Sequence, residues 1–285
     1  AIWGTAKQGA ITHLGKGRLL SGATLEEALH MLDIKPDVCG DVRWIHRQVK
    51  GADWYFVTPL KQASFNGKVK FKAQGAAELW NPVTGEITPL KVEREGEYAT
   101  VQLDMPKAGS CFVVFNHDKK QKNPEAVTYK HSQSIEGKWL VEFPEGWGAA
   151  PRLEIETLVP WCNMPLSEEG KAFSGSVTYS TTFQMPDESK QLMLDLGKVS
   201  MIAEVTLNGK KLRTLWCTPY TLDITNDVKS GDNTLQVKVT STWFNRLVYD
   251  AALPEADRKT WTISGPSAGS PLKEYGLLGP VTLKY

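Results

Sequence analysis

The chain of 285 residues is long enough to bury sizeable cores, and at ~100–200 residues per domain it suggests two of them. Its 33 Lys and Arg against 32 Asp and Glu leave a formal charge of +1, which provides no electrostatic footprint for nucleic acid or an anionic membrane surface. No apolar run approaches the ~20 residues of a membrane span, and the N-terminus lacks the basic, apolar and small-residue regions of a signal peptide.

Residues 1–40 differ in pattern from the rest of the chain. Gly17-Arg18-Leu19-Leu20 reads as a short strand. Thr24 is an N-cap with Glu27 completing a capping box, and Leu25, Ala28, Leu29 and Leu32 recur at helical spacing before Pro36. One strand and one helix cannot make a core, so the segment is expected to be the remnant of a preceding α/β domain, clinging to the next body by its apolar helical face. The alternative is a small decoration packed on that body.

Residues 41–131 are strand after strand. Val42–Arg47 alternates, Trp54–Val57 is an apolar run, Lys68–Lys72 alternates again, and Tyr98–Leu103 and Cys111–Phe115 complete an antiparallel β-sandwich. Asn66-Gly67 and Thr84-Gly85 are expected as turns, the first as a hairpin. The charged run Lys119–Asn123, ending at Pro124, is expected to be a solvated linker joining two bodies near residues 117–134.

Residues 132–285 form a second all-β body. Trp139–Phe143 opens it, Val177–Phe183 alternates, and Leu192–Leu196 comes after a break at Pro186-Asp187. Ala203–Leu207 and Lys211–Arg213 flank Asn208-Gly209, a type I′ hairpin dipeptide, and Pro219–Ile224 and Thr234–Val239 add two strands.

Little metal or redox chemistry is written here. Cys39, Cys111, Cys162 and Cys217 are far apart and read as free structural thiols, with a disulfide open in an oxidising compartment. His13, His30, His46, His117 and His131 lack ligand spacing, which argues against a transition-metal site. The ten Trp stand out more, since flat aromatic faces suit sugar rings as well as protein cores.

Two stretches carry a family resemblance that takes in almost the whole chain. Asp41–Arg47, Gly51–Val57 and Ala77–Ile87 resemble the sandwich that comes after the catalytic region of family 106 α-L-rhamnosidases, with one departure at Thr58-Pro59-Leu60. Phe173–Phe183, Leu207–Lys210 and Gly276–Leu283 resemble the jelly-roll, galactose-binding-like domain of family 2 glycoside hydrolases, and Trp243–Leu247 with Arg258–Trp261 favours the rhamnosidase-like parent. The resemblance implies an all-β chain of two sandwiches with a short N-terminal α/β remnant.

It also implies carbohydrate as the partner, a catalytic barrel missing from the N-terminal side, and a periplasmic or extracellular location. Hydrolysis needs two positioned carboxyl groups, and in this family they belong to the barrel, so none is assigned here. Glu142, Glu154 and Glu156 read as solvent-facing strand residues.

The candidate sugar contacts are Asn245, Arg246, Trp243 and Trp261, in the loop where family 2 domains send a polar side chain toward the active site. An amide both donates to and accepts from hydroxyls, and a guanidinium offers a fork of donors. The alternative pairs Arg246 with Asp250 or Asp257 to organise the loop, and leaves Trp216, Trp243 and Trp261 as anchors. No cofactor is implied, although jelly rolls of this kind can hold a structural calcium, for which Asp195, Asp223, Asp227 and Asp232 are candidates. The expected function is a non-catalytic accessory and carbohydrate-binding region of a rhamnosidase-like enzyme. The alternatives are sandwiches that only brace the barrel, or a fragment with residual glycosidase activity.

Overall fold

Period-two alternation sets the architecture of the computed structural model, which describes residues 10–124, 127–185 and 191–285. The chain divides into two compact units, Ala1–Glu125 and Ala126–Tyr285. The Pro186-Asp187 break lies outside the described residues.

In the first unit a five-stranded sheet runs in the order Val42–Val49, Ala52–Pro59, Cys111–Asn116, Ala76–Trp80, Ile87–Pro89. A four-stranded sheet runs Val38–Cys39, Phe65–Phe71, Tyr98–Met105, Val92–Glu95. Every pairing in both is antiparallel. Tyr55, Val57, Val113 and Phe115 from one sheet meet Val69, Phe71, Val101 and Leu103 from the other in a single core. Fully burying such a side chain stabilises by about 1.5–3 kcal/mol, against which stands the entropy lost in ordering it.

Three expectations change here. Asn66-Gly67 is not a turn: both residues lie inside Phe65–Phe71, opposite Asp104 and Leu103. A continuous ladder with Tyr98–Met105 outweighs the local preference of the dipeptide, and Asn66 uses its side chain to accept from Gln102 at 2.7 Å. The charged segment is not wholly solvated either. Lys119 pairs with Glu78 at 2.7 Å, and the Gln121 amide accepts from the backbone N–H of Ala77 and donates to the carbonyl of Leu90.

The third change concerns the N-terminal segment. Strands Ala10–Leu14 and Gly17–Ser21 form a hairpin, and helix α1, Leu25–Met31, starts at the expected capping box, with Thr24 and Glu27 bonded reciprocally. Yet α1 has no buried residue, and Leu25 is 71% exposed. Ala28, Leu29 and Met31 are half-buried. A helix this short draws its stability from packing, and here its apolar face is only partly covered.

The second unit has a six-stranded sheet, Arg152–Ile155, Trp139–Glu142, Ser176–Gln184, Asp232–Thr240, Ile202–Leu207, Lys210–Leu215. A four-stranded sheet runs Ser132–Ser134, Thr282–Lys284, Met193–Asp195, Thr221–Asp223. Asn208 and Gly209 both take positive φ, 53° and 81°, as a type I′ hairpin requires. In the core the Tyr179 hydroxyl accepts from the indole N–H of Trp161 at 2.6 Å and the backbone N–H of Leu277 at 3.3 Å. Burial pushes the Tyr179 phenol up to about 12. Gly276, at φ +133°, leaves room for this contact, because a Cβ there would fall 2.8 Å from that hydroxyl. Among the described residues no helix is long and apolar enough to cross a membrane.

Candidate carbohydrate-contacting site

The segment after Asp232–Thr240 is not a plain loop. Phe244–Ala251 forms an eight-residue helix, α3, coming after the short helix α2, Glu168–Lys171, in chain order. Phe244, Leu247, Val248 and Ala251 recur at helical spacing, but the buried side of α3 also carries Asn245, Arg246 and Asp250. A helix that turns polar groups inward must satisfy them there.

Asn245 does so fully. Its amide donates to the Lys273 carbonyl and accepts from the Lys273 N–H, each at 2.8 Å. Arg246 donates through its backbone N–H to Ser174 Oγ at 3.0 Å, and through Nη1 to Glu169 Oε1 at 2.7 Å. Its Nη2 stands 2.7 Å from Asp250 Oδ1, one turn along α3, out of line for a hydrogen bond, and its Nε has no aligned partner among the described residues. The guanidinium lies over the rings of Trp147 and Tyr249, 5.4 and 5.1 Å from their centroids.

Asp250 Oδ2 in turn accepts from Thr260, through both N–H and hydroxyl, at 2.6 Å. Lys259 Nζ donates to Glu169 Oε1 at 2.8 Å and to the Gly146 carbonyl at 2.7 Å. Lys259 and then Arg246 hold the Glu169 carboxyl below its usual range. Burial pushes the Asp250 carboxyl up, but Arg246 beside it and the bonds from Thr260 outweigh burial and hold it low. Burial likewise opposes the charge on Arg246, and Asp250 and Glu169 more than restore it.

Asn245 and Arg246, candidate sugar contacts by sequence, are turned into the domain, where a side chain already engaged has little left to offer a ligand. They are 0% and 1% exposed, and both are engaged with Lys273, Ser174, Glu169 and Asp250. Arg246 pairs with Asp250, as one of the sequence alternatives held, and with Glu169, which sequence reasoning missed.

What this network presents outward is aromatic. Trp243, at the start of α3, is 47% exposed, and its ring lies 5.3 Å from that of half-buried Trp147. Arg246 and Lys259, which share Glu169 Oε1, both lie over the Trp147 ring, 5.4 and 5.7 Å from its centroid. Gly148 makes this fit possible: it holds φ +81°, and a Cβ would meet the Glu169 side chain at 2.4 Å. Trp261 and Trp216 are exposed singly, at 73% and 59%. Trp147, Glu169 and Lys259 were not readable as site residues, because 77 and 90 residues separate Glu169 from its two cations.

The remaining candidates have other employment. Asp195 pairs with Lys284 and Asp227 with Lys210, Asp223 accepts from the Thr225 N–H, and Asp232 accepts from Gln184. Glu142, Glu154 and Glu156 are exposed. All four cysteines are free thiols, and burial raises that of Cys111 to about 12.

In the first unit His46 stacks on Tyr55 and bonds Asp37 and Asp53, both at 2.9 Å, while His117 reaches the other oxygen of Asp53 at 2.8 Å. These rings cross-link strands. Among the described residues no three His, Cys, Asp or Glu gather to hold a metal ion.

Residues 1–94 match the family described as alpha-L-rhamnosidase, glycoside hydrolase family 106, and residues 170–269 match the family 2 galactose-binding domain-like family. The chain carries a family 106 region and a family 2 galactose-binding-like domain. Its structure is similar to that of a rhamnosidase from Novosphingobium sp. PP1Y, with a TM-score of 0.85 and 31% identity over 99% of this chain. It spans 28% of that enzyme. A protein of Formosa agariphila named as a candidate beta-glucuronidase is 46% identical over 125 residues, 42% of this chain and 11% of that protein.

Proposed function

We propose that this glycoside hydrolase region is a non-catalytic accessory part of a rhamnosidase-like enzyme, and that its galactose-binding-like domain contacts carbohydrate through the exposed ring of Trp243 and the ring of Trp147 tilted 56° against it. The supporting observation is the exposed Trp243 ring beside Trp147, immobilised by Arg246 and Lys259. Exposed aromatic area held rigid costs little entropy when a sugar face stacks on it. Among the described residues Glu169 is bonded through Oε1 and Lys259 uses two of its three N–H groups, so the carboxylate and the ammonium supply an acceptor and a donor for hydroxyl groups beside the rings.

Catalysis is assigned to the part of the parent outside this chain, the missing barrel. Glycoside hydrolysis needs one carboxyl group protonated to serve the leaving oxygen. Glu169 and Asp250 flank Arg246, but their cationic and hydroxyl partners hold both ionised. Neither can be that acid at neutral pH. Export of the parent to the periplasm or beyond belongs to the same reading and rests on the family resemblance.

The test is titration of rhamnose- and glucuronate-containing oligosaccharides into the isolated chain, monitored at the indole resonances. Shifts confined to Trp243 and Trp147, and lost in Trp243→Ala, are expected, with no turnover of aryl glycosides. Silence at both indoles throughout would refute the contact. Turnover abolished by changing Glu169 would refute the non-catalytic assignment. Burial of Asn245 and Arg246 favours a second reading, in which both sandwiches only brace the catalytic part, and such silence would be its signature.

A further inference from the structure

The five-stranded sheet of the first unit carries its apolar residues on both faces. Tyr55, Val57 and Val113 point into the core. On the opposite face a single row crosses all five strands: Ile45 lies opposite Phe56, Phe56 opposite Phe112, Phe112 opposite Trp80, and Trp80 opposite Ile87. Directly opposed residues in an antiparallel ladder share a face, and the outer face of a sandwich is ordinarily polar. Here Ile45 and Ile87 are 55% and 51% exposed, and Phe56, Phe112 and Trp80 are partly so. Trp54, one row over, extends the patch, its ring 4.7 Å from Trp80 and 6.2 Å from Phe112. Arg47 lies opposite Trp54, and the Glu78–Lys119 pair borders Trp80. An apolar centre with a charged margin is the anatomy of a protein interface.

We propose that this face docks the portion of the parent glycoside hydrolase that lies outside the present chain. The proposal rests on the reading of the chain as an accessory part, and names the surface by which it is attached. Two observations select that occupant. The rings are tilted against one another, by 65° for Trp54 and Trp80, 74° for Trp54 and Phe112, and 59° for Phe56 and Phe112. Relief of this kind suits the interlocking side chains of a protein surface. The similar rhamnosidase also has most of its length outside the match, since this chain spans 28% of it.

Radical footprinting of Trp54, Trp80 and Phe112 in the isolated chain and in the parent enzyme tests this. Labelling should fall by ~5-fold or more in the parent, as burial in an interface core requires. Ile45→Lys with Ile87→Lys, both at exposed positions, should restore labelling in the parent and split its thermal unfolding into two transitions. Equal labelling of chain and parent overturns the proposal. So does protection already present in the isolated chain, whether from its own segments or from a second copy, and so does protection that appears only on adding oligosaccharide. Trp243, read in the same experiment with and without sugar, reports on the carbohydrate contact independently.

Discussion

Replacing Asp250 by alanine isolates the ion network that fixes Trp147. Arg246 and Asp250 are each 1% exposed, so the substitution leaves a buried guanidinium facing an empty site at Nη2. Breaking a buried pair by removing one partner typically costs about 3–5 kcal/mol. Glu169 still neutralises Nη1, which places the loss near the lower end of that range, about 3–4 kcal/mol with the Thr260 bonds included. At ~2–4 °C per kcal/mol for a domain of this size, the second unit should melt about 6–16 °C lower. Calorimetry or urea unfolding of the chain measures it. The double variant Arg246→Met, Asp250→Leu should lose less than Asp250→Ala alone, because it leaves no unpaired charge behind. A loss below about 1 kcal/mol for Asp250→Ala, or a double variant that loses the full sum of its singles, would refute this account of the network.

The same carboxylates set an acid limb. Glu169 and Asp250 both titrate below their usual range when folded, so their contribution is complete above the unfolded carboxylate values and is lost as pH falls through the depressed folded ones. Urea midpoints should drop along that limb, and less steeply in Asp250→Ala. Tyr179→Phe removes the acceptor of the Trp161 and Leu277 N–H groups and should cost about 1–3 kcal/mol by the same unfolding assay. Gly148→Ala, at φ +81° and against Glu169, should cost about 1–3 kcal/mol and disturb the Trp147 indole resonance.

Strands and tight turns were legible because their signals are local. The Thr24 capping box and the Asn208-Gly209 turn formed where their residues stand, each decided by a few neighbouring backbone groups. Asn66-Gly67 misled for the complementary reason: a partner strand more than thirty residues away in sequence supplied a ladder that outweighs the turn preference of the dipeptide. Helix α3 was missed although Phe244, Leu247, Val248 and Ala251 keep helical spacing. Its inner side holds an amide, a guanidinium and a carboxylate, and such groups read as solvent-facing unless their partners are known. Those partners, Glu169, Lys273 and Ser174, come from other segments. The aromatic row on the first sandwich was hidden in the same way, since its members become neighbours only once five strands are in register.

The position of Thr282–Lys284 has a consequence for biosynthesis. This strand is hydrogen-bonded between Ser132–Ser134 and Met193–Asp195, and the backbone of Tyr285 bonds His131. The four-stranded sheet of the second unit therefore cannot close until translation has passed its final strand. At about 5–20 residues per second, Ser132–Ser134 waits on the order of ten seconds or more for its partner, with one wall of the core uncovered on the ribosome. In the first unit the corresponding wait is shorter, because Cys111–Asn116, which pairs with both Ala52–Pro59 and Ala76–Trp80, comes sooner after them in the chain. In a cell short of nascent-chain chaperones, the second unit is the half of this protein whose yield should fall.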